Sequence, residues 1–255
     1  MGNTISTQAV RPIDERIKLD IHGTEVPVRI VREQRRSIRA YMGKEEVIMR
    51  FPRNLNPEEE QKHRERLVKW LERQHQKRAD AFQKYQSADY QDGDTLRVGE
   101  RQYALHLRLE DRKTNSGQLK DGEITLKLAQ DQNDQQRSKA IRTLLSRVIG
   151  ADFLPAITQR VHELNAQYYQ RKVKGVKLKY NHSNWGSCSN SGNINLSTRL
   201  LFAPKKVVDY VIIHELAHLI HLNHSARFWA EVARAMPDYE EQEAWLRQHG
   251  AACDF

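Results

Sequence analysis

Five consecutive residues carry the strongest chemical signal in this chain of 255. His214-Glu215-Leu216-Ala217-His218 is a H-E-x-x-H sequence in a segment made apolar by Val211, Ile212, Ile213 and Leu219. On a helix, residues four apart share a face, so His214 and His218 can offer two imidazoles to one metal ion. Glu215 projects beside them, where a carboxylate can take a proton from a metal-bound water. The bland alternative is two exposed helix histidines and a solvated glutamate. The apolar flanks weigh against it, because an ionised glutamate and two imidazoles are costly to bury there without a metal or other partners.

A structural zinc site fills all four positions with protein, whereas a catalytic one keeps a position open and needs three ligands. His221 lies on the same helical stripe as His214 and His218. At a rise of ~1.5 Å per residue it sits roughly 10 Å along the axis from His214, too far for bonds of ~2 Å to a shared ion. The chain must turn first. Asn223 suits a left-handed helix-ending position, after which His224 swings back towards the ion. His224 is therefore the preferred third ligand and Glu231 the alternative, with His221 at the surface or behind the ligands.

The residues around this segment bear a wider likeness. Trp185-Gly186-Ser187-Cys188, Arg199-Leu200, Ala203-Pro204, Asp209-Tyr210-Val211, the H-E-x-x-H, Asn223-His224-Ser225, Phe228-Trp229 and Pro237-Asp238-Tyr239 follow in that order. The chain resembles the YgjP-like family of predicted metal-dependent hydrolases, relatives of the SprT-like and WLM zinc-protease domains. The resemblance implies zinc on His214, His218 and His224 and Glu215 as general base. Two positions depart from the family pattern. Asn184 stands where an arginine usually precedes the Trp-Gly-Ser-Cys, and Ser197-Thr198 replaces an Asn-aromatic pair. Both leave the proposed ligands intact and bear on substrate preference.

Other elements must position these groups. Short β-branched runs at Val26–Val31 and Val47–Phe51, with turns at Gly23 and Gly43, predict strands between Ile17 and Phe51. The arginines at 29, 32, 35, 36 and 39 fit the polar face of an antiparallel sheet. A phosphate site is the alternative, and the arginine-rich counterpart in related sequences suggests a wall of the substrate cleft, making Arg35 and Arg36 possible substrate contacts. Asn56-Pro57 followed by three glutamates opens a helix running to about Tyr85. Period-two alternation in Tyr103–Leu109 and Leu119–Leu128, with Asp121-Gly122 between the last strands, predicts a second β section. Helical spacing returns from Gln135 to Tyr169, bent or divided at Gly150 and Pro155. Strands follow up to Leu200. Tyr180, His182 and Trp185 are cleft candidates there, although the Trp185 ring also fits a core position against the metal helix. A short helix with Phe228, Trp229 and Val232 roofs the site, and Tyr239 is a candidate oxyanion donor. Trp185, Arg199 and Tyr239 are the remaining possible substrate contacts.

The fold expected is α+β: a flexible tail over 1–14, a β-rich lobe with one charged helix over 15–132, and a zincin-like domain over 133–255. In that domain a metal-bearing helix packs on a long helix and a small antiparallel sheet. Composition bounds the rest. Two cysteines make no disulfide framework, and Cys188 fits a small strand or turn position better than a ligand or nucleophile. No run approaches the ~20 apolar residues of a membrane span, and MGNTISTQAV has no signal-peptide core, so a cytoplasmic protein is expected. Met1-Gly2 with Ser6 formally matches a weak myristoylation pattern. The net charge of +9 gives a general attraction to polyanions, nucleic acid included. No obligate partner is evident.

The leading expectation is a Zn²⁺-dependent hydrolase of the peptidase type, acting on peptide or protein. A phosphoanhydride hydrolase acting on nucleoside triphosphates is the alternative, since a Lewis acid with a water-activating glutamate suits that chemistry and arginines bind phosphate. Against it, no acidic cluster suggests a magnesium site. A nucleic-acid-associated protein with a vestigial metal site is the third reading.

Overall fold

The computed structural model describes residues 13–43, 46–78, 82, 85 and 90–255. The expected tail lies almost wholly outside these, as do Gly2 and Ser6. Contacts divide the chain into two units, Met1–Gln86 and Ser87–Phe255, where the sequence suggests a boundary at 132. The difference lies in the second β section. Its alternating pattern marks a half-buried sheet without saying what covers it, and what covers it is the long helix that follows.

In the first unit, strands β1 (Asp14–Ile21), β2 (Thr24–Glu33), β3 (Arg39–Met42) and β4 (Val47–Pro52) form a sheet of order β1-β2-β4-β3. His22 and Gly23, both at positive φ, make the tight turn between β1 and β2. Helix α1 (Pro57–Lys77) begins as its sequence dictates, the Asn56 side chain accepting from the Glu58 amide. Its expected continuation to Tyr85 falls mostly outside the described residues. Val26, Val28, Ile30, Met49, Phe51, Leu67 and Leu71 form the core. An ionic network with a buried Arg32–Glu60 pair at its centre crosses from sheet to helix: Arg32 donates to Glu60 at 2.6 and 3.1 Å and to Glu15 at 2.8 Å, and Arg64 donates to both carboxylates.

The second unit opens with the same plan. Strands β5 (Thr95–Val98), β6 (Arg101–Glu110), β7 (Ser116–Lys120) and β8 (Glu123–Ala129) take the order β5-β6-β8-β7, followed by helix α2 (Asp134–Leu164). Asp121 and Gly122, at φ 52° and 82°, close the β7–β8 hairpin. An Asn133–Gln136 capping box starts α2. The helix runs through Gly150 and Pro155 undivided, so of the bend or division read from the sequence the division does not occur. Proline removes one backbone donor, which 31 residues of helix can absorb. Gly150 is needed for contact rather than flexibility, since a Cβ there would lie 2.9 Å from Thr198 Cγ2. A π-helical turn, Asn165–Tyr169, ends the element.

A three-stranded sheet follows, from β9 (Gly175–Lys179), β10 (Gly186–Cys188) and β11 (Asn193–Ser197), in the order β10-β11-β9. The sequence predicts antiparallel sheets, but β2–β4, β6–β8 and β9–β11 are parallel pairs. In each case successive strands do reverse direction. The hairpin's second strand inserts beside the earlier strand, leaving its first strand on the outside. Alternating hydrophobicity cannot reveal that insertion. After a 3₁₀ segment (Thr198–Phe202) come α3 (Lys205–Ala217), α4 (Ala226–Ala235) and α5 (Tyr239–His249). Helix α3 packs on α2 as expected, with Val161, Leu164, Ile212 and Leu216 in one core and Arg160 donating to both Asp209 oxygens at 2.7 and 2.8 Å. The whole is the α+β arrangement expected of a zincin-like domain with a β-rich lobe before it. Among the described residues no helix is long and apolar enough to cross a membrane.

Candidate metal centre

Helix α3 is buried on nearly every side, from Val207 to Ile213 and again at Leu216 and Ala217. His214 is its last basic residue, and His218 caps it in right-handed conformation. The chain then turns through short bonds: the amides of Leu219 and Ile220 reach back three residues and that of His221 reaches Ala217, all at 3.0 Å. The turn therefore lies at 217–221, and Asn223 is not among the described residues with positive φ, contrary to the left-handed exit expected of it. Consecutive i→i+3 bonds tighten the helix end and reverse the chain without it.

The reversal brings His224 back. Ligand-capable nitrogens of His214, His218 and His224 all lie within 4.8 Å of one another. Nε2 of His214 faces Nε2 of His224 at 3.0 Å; bonds of ~2.0–2.1 Å to one tetrahedral ion would set two nitrogens roughly 3.3 Å apart. His218 Nδ1 donates to the His221 carbonyl at 3.1 Å, a tautomer that leaves its Nε2 lone pair for a ligand. His221 thus supports the cluster through its backbone. Phe228, fully buried, touches all three imidazoles at ring separations of 4.9, 4.6 and 4.8 Å.

The electrostatics fit a cation. Burial, reinforced by His218 and His224, pushes His214 down to about 4, and burial also lowers His218, so both rings are neutral at pH 7. Burial pushes Glu215 up to about 8. Its Oε2 and the Nδ1 of His214 are buried without a hydrogen-bond partner among the described residues. Two neutral imidazoles, with the His224 nitrogen converging on them beside a buried acidic side chain, form a donor set short of one positive charge. The residues present therefore fit a metal ion.

Glu215 is held from the β10 side by Gly186. A Cβ on Gly186 would lie 2.4 Å from Glu215 Oε1, 2.7 Å from its Cγ and 2.8 Å from its Cδ. Only a glycine lets the strand come this close. Sequence reasoning missed the contact, although a glycine directly after a tryptophan in a strand does signal close approach. Around Glu215 opens a cavity of about 730 Å³ lined by β10, His214, His218, His224, Tyr210, Leu222, Leu246 and a Glu243–Arg247 pair on α5. No pattern in the sequence marks Glu243 and Arg247 as lining residues.

The other candidates lie as follows. Trp185 lines the cavity, its ring carrying the Arg199 guanidinium at 4.7 Å. Arg199 itself is buried and donates to the carbonyls of Cys253 and Gly250, both at 2.6 Å, and does not line the cavity. Tyr180 donates to Asp254 at 2.7 Å, and His182 lies 3.5 Å from the same carboxylate. Tyr239 stacks on Trp229. Glu231 is engaged by Arg234 at 2.7 Å and is not part of the histidine cluster. Cys188 lines the cavity with its thiol pushed up to about 11 by burial and by the Glu215 charge. Arg35 and Arg36 belong to the first unit, Arg35 paired with Glu33 at 3.0 Å and Arg36 exposed.

The model of the YgjP-like, metallopeptidase domain family matches residues 13–249. No curated protein matches the chain. Among solved structures it is similar to the metallopeptidase zymogen abylysin of Pyrococcus abyssi, at 29% identity and a TM-score of 0.33, over 35% of this chain and 90% of that one. It is also similar to the zymogen jannalysin of Methanocaldococcus jannaschii, at 20% identity and a TM-score of 0.33, over 36% and 94%.

Proposed function

This chain belongs to the YgjP-like metallopeptidase family and is a metal-dependent hydrolase; from that premise we propose that it is a zinc peptidase with Glu215 as its general base. The observation that carries the reading is the convergence of three imidazoles beside a buried carboxylate whose Oε2 has no hydrogen-bond partner among the described residues. His214, His218 and His224 would hold the ion, an all-nitrogen set that suits zinc. Zinc so held supplies Lewis acidity, polarising a scissile carbonyl and making a water more acidic.

The chain's own groups account for the remaining work. Glu215 Oε2 takes the proton of the attacking water and passes it to the leaving amine. Gly186 keeps that carboxylate in place. Strand β10 pairs with β11 along one edge and lines the cavity with its residues, which supports binding of an extended peptide as an added strand. Among the described lining residues Arg247 is the one arginine or lysine, and it faces Glu243 at 3.8 Å. A triphosphate calls for more positive charge, so the lining favours an amide substrate. Two free cysteines suit a reducing, cytoplasmic setting.

The test is a parallel screen of unfolded protein, short peptides and nucleoside triphosphates with zinc-loaded wild type and Glu215→Gln. The reading expects hydrolysis of the peptide or protein arm, and a variant that keeps zinc but loses turnover. Undiminished hydrolysis by Glu215→Gln rejects the general base. Hydrolysis confined to the triphosphates rejects the peptidase.

A further inference from the structure

His224 differs from its two companions in how it is held. His214 sits within α3 and His218 caps it, but His224 is exposed and belongs to the non-helical stretch between α3 and α4. An imidazole free to rotate on such a stretch would have to be ordered by the ion itself, at a cost in affinity. Something has to fix the ring beforehand.

The indole of Trp229 lies against it. It stacks on the His224 ring at 5.9 Å and 28°, and meets His214 edge-on at 5.7 Å. Tyr239 stacks on the same indole at 5.3 Å and 21°, and Tyr239 in turn stacks on the buried Tyr210 at 6.4 Å and 21°. Tyr210 belongs to α3 and meets His214 edge-on at 6.0 Å. A ladder of rings therefore starts at His224, passes through α4 and α5, and returns to the helix that carries His214. Offset aromatic pairs at such separations have geometric preferences of their own, so the ladder restrains angle as well as distance. Trp229 does not line the cavity, which separates it from substrate binding. Phe228 also touches His224 but is a fully buried core residue, whereas Trp229 is half-buried and packs against the core from its edge.

We propose that Trp229, braced by Tyr239, is a positioning residue that holds the His224 imidazole in its ligand orientation before an ion arrives. The inference rests on the reading of the three histidines as a metal site. Its test is zinc affinity of the full chain by competition with a chromophoric chelator, together with the visible spectrum of the cobalt-substituted protein and an unfolding curve. Residues that orient metal ligands typically cost about 10–100-fold in affinity when removed. Trp229→Ala should weaken zinc binding by about that factor and diminish the tetrahedral cobalt bands. Trp229→Phe, which keeps a flat ring, should restore most of both. Tyr239→Leu should fall between them.

Wild-type zinc affinity and an unchanged cobalt spectrum in folded Trp229→Ala would overturn the inference. Should that variant fail to fold, Tyr239→Leu decides, and unchanged affinity there overturns it equally. A wild-type chain that takes up no stoichiometric zinc instead defeats the metal site itself, a result distinct from a wild type that binds beside variants that bind as well.

Discussion

Gly186→Ala places one methyl group against the group proposed to move the proton. The added Cβ would meet Glu215 Oε1 at 2.4 Å, Cγ at 2.7 Å and Cδ at 2.8 Å, and all three lie well inside contact distance. The carboxylate is a flexible end, but Glu215 is 5% exposed and has little room to retreat. Either the side chain leaves its rotamer or β10 moves off α3. Overpacking of this kind costs about 1–3 kcal/mol. In a unit of this size, about 1 kcal/mol lowers Tm by roughly 2–4 °C. The catalytic effect should be larger than the structural one, because misplacing a reacting group by about 1 Å can cost 10²-fold. Zinc content should hold, since the glycine's nearest contacts are with Glu215 and not with the histidines. Thermal unfolding, zinc stoichiometry and hydrolysis of an unfolded protein, measured on one preparation, give the three readings. A variant with wild-type Tm and wild-type turnover would refute the claim that this glycine seats the base. Loss of zinc with retained Glu215 geometry would refute the separation of base from ligands.

The metal-free protein should show an unusual pH profile. Glu215 is held near 8 against 4.5 when unfolded, so the folded state binds the extra proton and stability falls as pH rises through that window. His214, near 4 against 6.5, acts oppositely, and its contribution is lost as pH falls from 6.5 towards 4. The two slopes cancel between pH 4.5 and 6.5, leaving a loss of roughly 2 kcal/mol from pH 6.5 to 8. Urea unfolding of Glu215→Gln should lack that alkaline loss, and a persistent slope would contradict the assignment. Arg199→Lys should destabilise by about 1–3 kcal/mol without rescue, because an ammonium cannot span the carbonyls of Gly250 and Cys253; unchanged thermal stability would show the clamp to be idle. Arg160→Ala should cost about 1–3 kcal/mol through the Asp209 oxygens it leaves unpaired between α2 and α3, read by denaturant unfolding.

The histidine spacing was legible because helix geometry is local. Four residues bring His214 and His218 together on any helix, and the axial rise alone separates His221 from His214, leaving His224 to complete the cluster. The α+β class and the capped start of α1 were legible for the same reason. What the sequence did not disclose depends on partners distant along the chain. Arg199 reads as a motif arginine near the cleft, yet its guanidinium is spent on carbonyls some fifty residues later. The parallel strand pairs, the repeated four-strand order and the Gly186–Glu215 contact all depend on which surfaces meet, and local periodicity carries no record of that. The exit from α3 shows a smaller limit: Asn223 permits a left-handed turn, but the backbone turned earlier.

The central claim is that three imidazoles close on one ion. Zinc content after dialysis against a weak chelator, compared among wild type, His224→Ala and His221→Ala, tests it most directly. One zinc per chain is predicted for wild type and for His221→Ala, with most of it lost from His224→Ala. Retention in His224→Ala together with loss in His221→Ala would contradict the account.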